Sequence, residues 1–167
     1  MLTAKGVKPV APFLHRFDNL YLFGAFSPLT GCSHLLEMPY CNANTFQHFL
    51  DYAALQNPQE FKIMIADNGS FHHAKSLNIP NNIPLLFLPP YSPELNPAEK
   101  MWRYLKDRAS MIAYNNLKML QDKISEIIKN LSSLNVKSIC GNQFYKDTFK
   151  GVFNVELVLL QEATFSA

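Results

Sequence analysis

Ile65-Ala66-Asp67-Asn68-Gly69-Ser70-Phe71-His72, followed by Leu88-Pro89-Pro90-Tyr91-Ser92-Pro93-Glu94-Leu95-Asn96-Pro97-Ala98-Glu99, is the part of the chain on which the fold assignment turns. Residues 61–66 are nearly all apolar and stop abruptly at Asp67-Asn68-Gly69-Ser70, which predicts a strand covered on both faces with a polar loop at its carboxyl end. A second apolar run, residues 84–88, predicts another strand of the sheet interior, and a short helix over 74–77 is expected between the two. Prolines 89, 90 and 93 fix φ and remove backbone donors, so this segment is a stiff connector that delivers the next helix at a set angle. Asn96-Pro97-Ala98-Glu99 announces that helix, with Asn as N-cap, Pro in the first helical position and Glu at the third. Ala98, Trp102, Leu105, Ala109 and Ile112 form its apolar stripe, while Glu99, Arg103 and Lys106 share a neighbouring polar face.

Upstream, the apolar residues 20–26, the turn Ser27-Pro28-Leu29-Thr30-Gly31 and the run 34–38 read as a β-hairpin. From Asn44, the spacing of Phe46, Phe49, Leu50 and Ala53 predicts an amphipathic helix that Asn57-Pro58 terminates. Downstream, Leu117, Leu120, Ile124, Ile127, Ile128 and Leu131 predict one long helix over about residues 116–132. Residues 152–160 fit either a strand or a buried helix. Elements of both kinds in this order define an α/β chain, and 167 residues with 48% apolar content suit one compact domain.

The formal charge of +2 is too small to indicate a nucleic-acid partner by itself, so a basic surface would require local clustering. Cys32, Cys41 and Cys140 are odd in number and widely spaced, which argues against a disulfide framework or a structural zinc site and fits a reducing cytoplasm. The first residues contain no apolar leader core, and no run of about 18 apolar residues offers a membrane span. A cytoplasmic protein with no membrane partner is the expectation.

Asp67 at a strand end and Glu99 in the first turn of a helix are the candidate chemical groups. Mg²⁺ and Mn²⁺ prefer hard oxygen ligands, and phosphodiester cleavage by two ions about 4 Å apart needs several convergent carboxylates. Strand carboxyl ends are also where open α/β sheets place ligands. Each residue has a structural reading beside this one. Asp67-Asn68-Gly69 suits a turn, Glu99 suits half of a capping box, and His72 and His73 suit a polar pair at a helix start. Trp102 fits the core better than a stacking platform. Lys100, Arg103, Lys106 and Arg108 are either a solvated helix face or a basic strip that tracks phosphates beside a metal site. A generic nucleotide-binding domain is disfavoured because no Gly-rich phosphate loop follows either buried strand.

The two quoted stretches, with Trp102, Leu105 and Lys106, resemble the second and third catalytic motifs of mariner-superfamily DDE transposases, most closely the bacterial insertion-sequence branch. Lys5-Gly6-Val7-Lys8-Pro9-Val10 and residues 20–31 are similar to the text that leads into and forms that family's second and third strands, so the resemblance spans about residues 4–140. It implies an α/β, ribonuclease-H-like mixed sheet with flanking helices. It further implies that Asp67 is the second catalytic aspartate and Glu99 the final acid, both ligands of a two-ion Mg²⁺ or Mn²⁺ site. DNA is the implied partner, contacted by Lys100, Arg103 and Lys106. The family's first aspartate lies on an apolar first strand ending in Asp-Glu, central in the sheet between the second and fourth strands and upstream of the Lys-Gly-Val-Lys-Pro text. That text starts here at Lys5, so the first, central strand is expected to be missing, and Asp18 receives no role. The expectation is therefore a partial catalytic domain over 1–140 with an extension of unassigned structure over 141–167. A separately encoded amino-terminal part would complete the site, and the assembly could be a homo-oligomer. The implied function is metal-dependent DNA strand cleavage and transfer in the complete enzyme. The alternative is an inactive transposase remnant acting as a weak DNA-binding or transposase-interacting protein.

Overall fold

The computed structural model describes residues 19–90, 92, 96–110, 114–141, 143–148 and 155–166. The amino-terminal Lys5 to Val10 text, Asp18, Tyr91, Pro93, Glu94, Leu95 and Ile112 lie outside them. The expected hairpin forms from β1 (Asn19–Phe26) and β2 (Ser33–Met38), antiparallel with Tyr21 opposite Met38 and Phe26 opposite Ser33. Helix α1 (Ala43–Leu55) follows, its start fixed by a capping box in which Asn42 Oδ1 accepts from the Thr45 N–H and Thr45 Oγ1 accepts from the Asn42 N–H, both at 3.1 Å. It stops where Asn57 takes the left-handed conformation, φ 51°. Strand β3 (Phe61–Ala66) has the bounds that its apolar run predicts.

The sheet then departs from expectation at its centre. Its order is β2-β1-β5-β3-β4, with β4 at Leu85–Phe87 and β5 at Val155–Ser166. Strand β5 runs antiparallel to β1, from Asn19 opposite Ser166 to Phe26 opposite Leu159, and parallel to β3, from Phe61 opposite Val155 to Ile65 opposite Leu159. The central position expected to be empty is thus filled by the carboxy-terminal strand. The physical reason lies in Leu157-Val158-Leu159-Leu160, all fully buried. A strand sends successive side chains to opposite faces, so four consecutive apolar residues are all buried only where both faces are covered. Leu157 and Leu159 join the cluster of Trp102, Leu105 and Leu120, whereas Val158 and Leu160 join Phe46, Phe49 and Leu50 of α1. The result is a five-stranded mixed sheet flanked by helices, compatible with a ribonuclease-H-like fold.

On the first of these faces lie α2 (Ala98–Ala109), α3 (Leu117–Lys129) and α4 (Ser133–Cys140), with the short α5 (Gln143–Thr148) after them. Ala98, Trp102, Leu105 and Ala109 are buried as the stripe requires, together with Met101. Trp102 lies so close to β1 that a Cβ on Gly24 would sit 2.8 Å from its ring. The helix expected over about 116–132 is α3, which ends at Lys129, and Ser132 then caps a separate helix, α4, by accepting from the Asn135 N–H at 3.2 Å. A cap supplied by Ser132 satisfies orphan donors that a continuous helix would have paired internally. Residues 74–77 form a turn rather than a helix, with the helical geometry displaced to a single 3-10 turn at Ser70–His73. Gln47 explains the extended path beyond it, since its amide accepts from the Asn78 N–H at 2.7 Å and donates to the Asn78 carbonyl at 2.9 Å. Among the described residues strand β4 lies at the sheet edge and leaves Leu86 and Phe87 exposed, not in the interior that its composition suggested. Among the described residues no helix is long and apolar enough to cross a membrane.

If β5 is the central support, shortening Leu159 to Ala should lower the unfolding free energy by about 2–5 kcal/mol. The same change at Leu134, 75% exposed on α4, should stay within about 0.5 kcal/mol of wild type by urea denaturation.

Candidate active site

Strands β3 and β5 are parallel, so their carboxyl ends open at the same edge of the sheet. Two residues beyond the Ile65–Leu159 pair, each strand presents a polar side chain: Asp67 from one and Gln161 from the other. Asp67 Oδ1 accepts from the Gly69 N–H at 2.9 Å and lies 3.0 Å from His72 Nδ1. Gly69 leaves space for this pairing, because a Cβ there would stand 3.1 Å from both atoms. His72 Nε2 in turn lies 2.7 Å from Glu162 Oε1 of β5. The imidazole is fully buried, with ring centroids 4.6 Å from Phe46 and 4.3 Å from Phe71.

Burial alone would depress the pKa of His72, but hydrogen bonds to Asp67 and Glu162 and their charges overcome it and hold the imidazole at about 9. At neutral pH the group is an imidazolium between two carboxylates. Its hydrogen bond to Asp67 is the main cause of that carboxyl's lowered pKa, against the opposing effect of burial. The Cys41 thiol nearby is pushed up to about 11, first by burial and then by the charges of Glu162 and Asp67. Ligand atoms of Asp67, His72 and Glu162 all lie within 4.8 Å of one another, a spacing that could hold a metal ion. A protonated imidazole has no lone pair to offer an ion, so this trio acts first as a bridge in which one cation joins two carboxylates and a net negative charge remains.

The second expected acid arrives from α2. Buried Asn96 accepts at Oδ1 from the Ala98 N–H at 3.1 Å and donates from Nδ2 to the Leu160 carbonyl at 3.2 Å. One side chain therefore caps the helix and bonds it to the central strand, directly before Gln161. Glu99 is exposed and lines a cleft of about 180 Å³ with Asp67, Asn68, Pro89, Asn96 and Gln161. The Asn68 side chain donates to the Leu88 carbonyl, which joins the loop after β3 to the proline connector. Within this cleft Gln161 Oε1 is buried and has no hydrogen-bond partner among the described residues.

Arg103 and Lys106 border an adjoining recess of about 350 Å³, together with Glu99, Trp102, Gln161 and Glu162. Lys106 Nζ is 5.9 Å from the centre of the Phe165 ring. Lys100 is exposed but lines neither recess, so it stands apart from the other two basic residues. Trp102 is core, as expected. Sequence reasoning missed the bridging position of His72 and the presence of Gln161 and Glu162. A usable signal was present: Leu157 to Leu160 is an apolar run that ends in two polar residues, the pattern that singled out Asp67.

Residues 2–121 match the family described as DDE superfamily endonuclease. Over 88 residues the chain is 38% identical to the uncharacterized protein y4pE/y4sA of Sinorhizobium fredii (strain NBRC 101917 / NGR234), a match that covers 52% of this chain and 65% of that protein. The chain therefore spans less than two thirds of that relative's length. No solved structure matches.

The bridge makes stability depend on pH in a defined direction. A histidine raised from 6.5 to about 9 contributes stability that is fully present below 6.5 and is lost as pH rises through about 9. Asp67, whose pKa is lowered from 3.8, contributes stability present above that value and lost as pH falls through its depressed pKa. In metal-free buffer the urea midpoint should therefore decline on the alkaline side, and His72→Gln should flatten that decline. An unchanged alkaline slope in the variant would mean that the imidazolium is not its source.

Proposed function

The chain belongs to the DDE superfamily endonuclease family, and from that premise we propose that it is a catalytic domain of a mariner-superfamily transposase, of the bacterial insertion-sequence branch. Its substrate in this reading is DNA, cut and joined at phosphodiester bonds with the help of divalent ions. The observation that supports this best is the meeting of Asp67 and Glu99, distant in sequence, in one cleft at the carboxyl edge of the sheet.

The donor set fits a hard cation. Two carboxylates and the unpartnered Gln161 oxygen are all hard oxygen donors, the kind that Mg²⁺ and Mn²⁺ select. Asp67, Glu99 and Gln161 would hold one ion, whereas a pair of divalent ions would bring four positive charges against two carboxylates. When bound, such metal supplies activation of water or a 3′ hydroxyl and stabilises charge on the leaving oxygen. The remaining work is done by the chain. His72 keeps Asp67 ionised and oriented, Asn96 sets the position of Glu99, and Arg103 and Lys106 offer positive charge to the DNA backbone. Recognition of element ends is assigned in this reading to a separately encoded amino-terminal part.

A second reading, a DNA-binding remnant without catalysis, is favoured by the neutral amide of Gln161 that lines the cleft beside Asp67 and Glu99. Nicking of supercoiled DNA with Mn²⁺ or Mg²⁺ separates the two. For an active domain, Asp67→Asn and Glu99→Gln should each reduce nicking by more than the roughly 10- to 100-fold typical of losing a residue that merely supports a metal ligand. DNA binding should survive. Wild-type rates in both variants would refute the assignment, and DNA binding without nicking by the unaltered chain would select the second reading.

The basic pair is tested separately. Arg103→Ala and Lys106→Ala should each weaken DNA binding evenly across sequences and reduce the slope of log affinity against log salt by about one. Lys100→Ala, outside both recesses, should have a smaller effect.

A further inference from the structure

Resting on the reading that Asp67 and Glu99 hold a divalent ion, we infer that Gln161 is a third, neutral ligand of that site, and that its missing charge restricts the site to one weakly held ion. Three observations converge on this residue. Register comes first: Asp67 and Gln161 each lie two residues past a hydrogen-bonded pair of parallel strands, so their side chains leave the sheet on the same edge. Pleat alternation comes second. Gln161 follows the parity of Leu157 and Leu159, whose neighbours include Trp102 and Leu105, and so it lines the cleft on the side of α2 where Glu99 is delivered. Third, Gln161 Oε1 is a buried acceptor that receives no hydrogen bond among the described residues. Buried polar atoms are nearly always paired, and an orphan acceptor on a residue that shares a cleft with two carboxylates is accounted for by a cation held among them. Amide carbonyl oxygens are established hard ligands, but they neutralise no charge.

No neighbouring acid substitutes for the missing charge. Glu162 has the opposite parity on β5, and its carboxylate is engaged by His72 at 2.7 Å. Asp107 lines the adjoining recess but not the cleft of Asp67, and Arg103 and Lys106 in that recess add positive charge. Negative charge in the cleft therefore comes from Asp67 and Glu99 alone among the described residues. Replacing the Gln161 amide by a carboxylate of the same shape adds the charge without adding volume.

Electron paramagnetic resonance can follow the loss of free Mn²⁺ signal on titration into the full chain. Gln161→Glu should tighten Mn²⁺ binding by about tenfold or more, the equivalent of about 1.4 kcal/mol, and should raise the stoichiometry above one ion. Gln161→Met, similar in size but without the oxygen, should weaken it below wild type. Equal affinity in wild type, Gln161→Glu and Gln161→Met, with binding lost in Asp67→Asn, would overturn the role of Gln161 and leave the ligand role of Asp67 standing. Undiminished binding in both Asp67→Asn and Glu99→Gln would instead remove the reading on which the inference rests.

Discussion

The insertion of β5 between β1 and β3 is the constraint on which the rest of this structure depends. The β1–β2 hairpin and the β3–β4 pair share no ladder with each other, and each has its hydrogen-bonded edge completed by the same carboxy-terminal strand. Without it both halves would expose a row of unpaired backbone groups, which is costly in a buried position and invites improper pairing at a surface. The same strand also supplies Leu157 to Leu160 to the two cores, so backbone pairing and apolar burial require the same placement. Antiparallel on one side and parallel on the other, β5 makes the sheet mixed. Its parallel partner matters more for the site, because only parallel neighbours bring Asp67 and Gln161 out at one edge.

Side chains then convert that edge into a defined site. Asn96 is satisfied at both ends of its amide, by a helix N–H and by the Leu160 carbonyl, so α2 starts at a fixed distance from the central strand. His72 does the corresponding work on the other face, where it joins the loop after β3 to Glu162. Each contact links a local element to β5, which is distant in sequence. An account limited to neighbouring residues would read Asn96 as a cap and His72 as a helix-start polar residue, and would miss what each one holds together.

That distinction explains what was legible in the sequence. The hairpin, α1, β3 and the apolar stripe of α2 follow from periodicity and turn chemistry, which are local, and their bounds agree with the pattern. That Asp67 and Glu99 belong together was an expectation from the sequence, drawn from a strand end and a strong helix start a short stretch apart, and the two do line one cleft. The place of β5 was not legible, because chain order says nothing about which apolar run enters the middle of a sheet. Four buried residues in a row indicate only coverage on both faces, which a buried helix segment shares. Strand β4 misled for the converse reason. Its composition suits an interior strand, but its position at the sheet edge is set by what pairs beyond it.

Charge balance links fold and site. The imidazolium of His72 offsets one of the two negative charges that flank it, so the Asp67–His72–Glu162 set is held together by protein groups and keeps a net negative charge. Among the described residues the cleft on the α2 side is lined by no cationic side chain: Glu99 is open to solvent, Asp67 is half-exposed, and Gln161 Oε1 accepts no hydrogen bond. Asp67 belongs to both sets. In the proposed site, because His72 already holds it ionised, an entering cation would meet a deprotonated carboxylate of settled orientation, and only Glu99 would have to be gathered. The same arrangement limits the cation's reward, since the imidazolium offsets part of the negative potential that Asp67 would contribute. A site built on these residues is pre-organised but underpowered in charge, and the deficit falls on the one cleft-lining polar residue that the central strand contributes without a charge, Gln161.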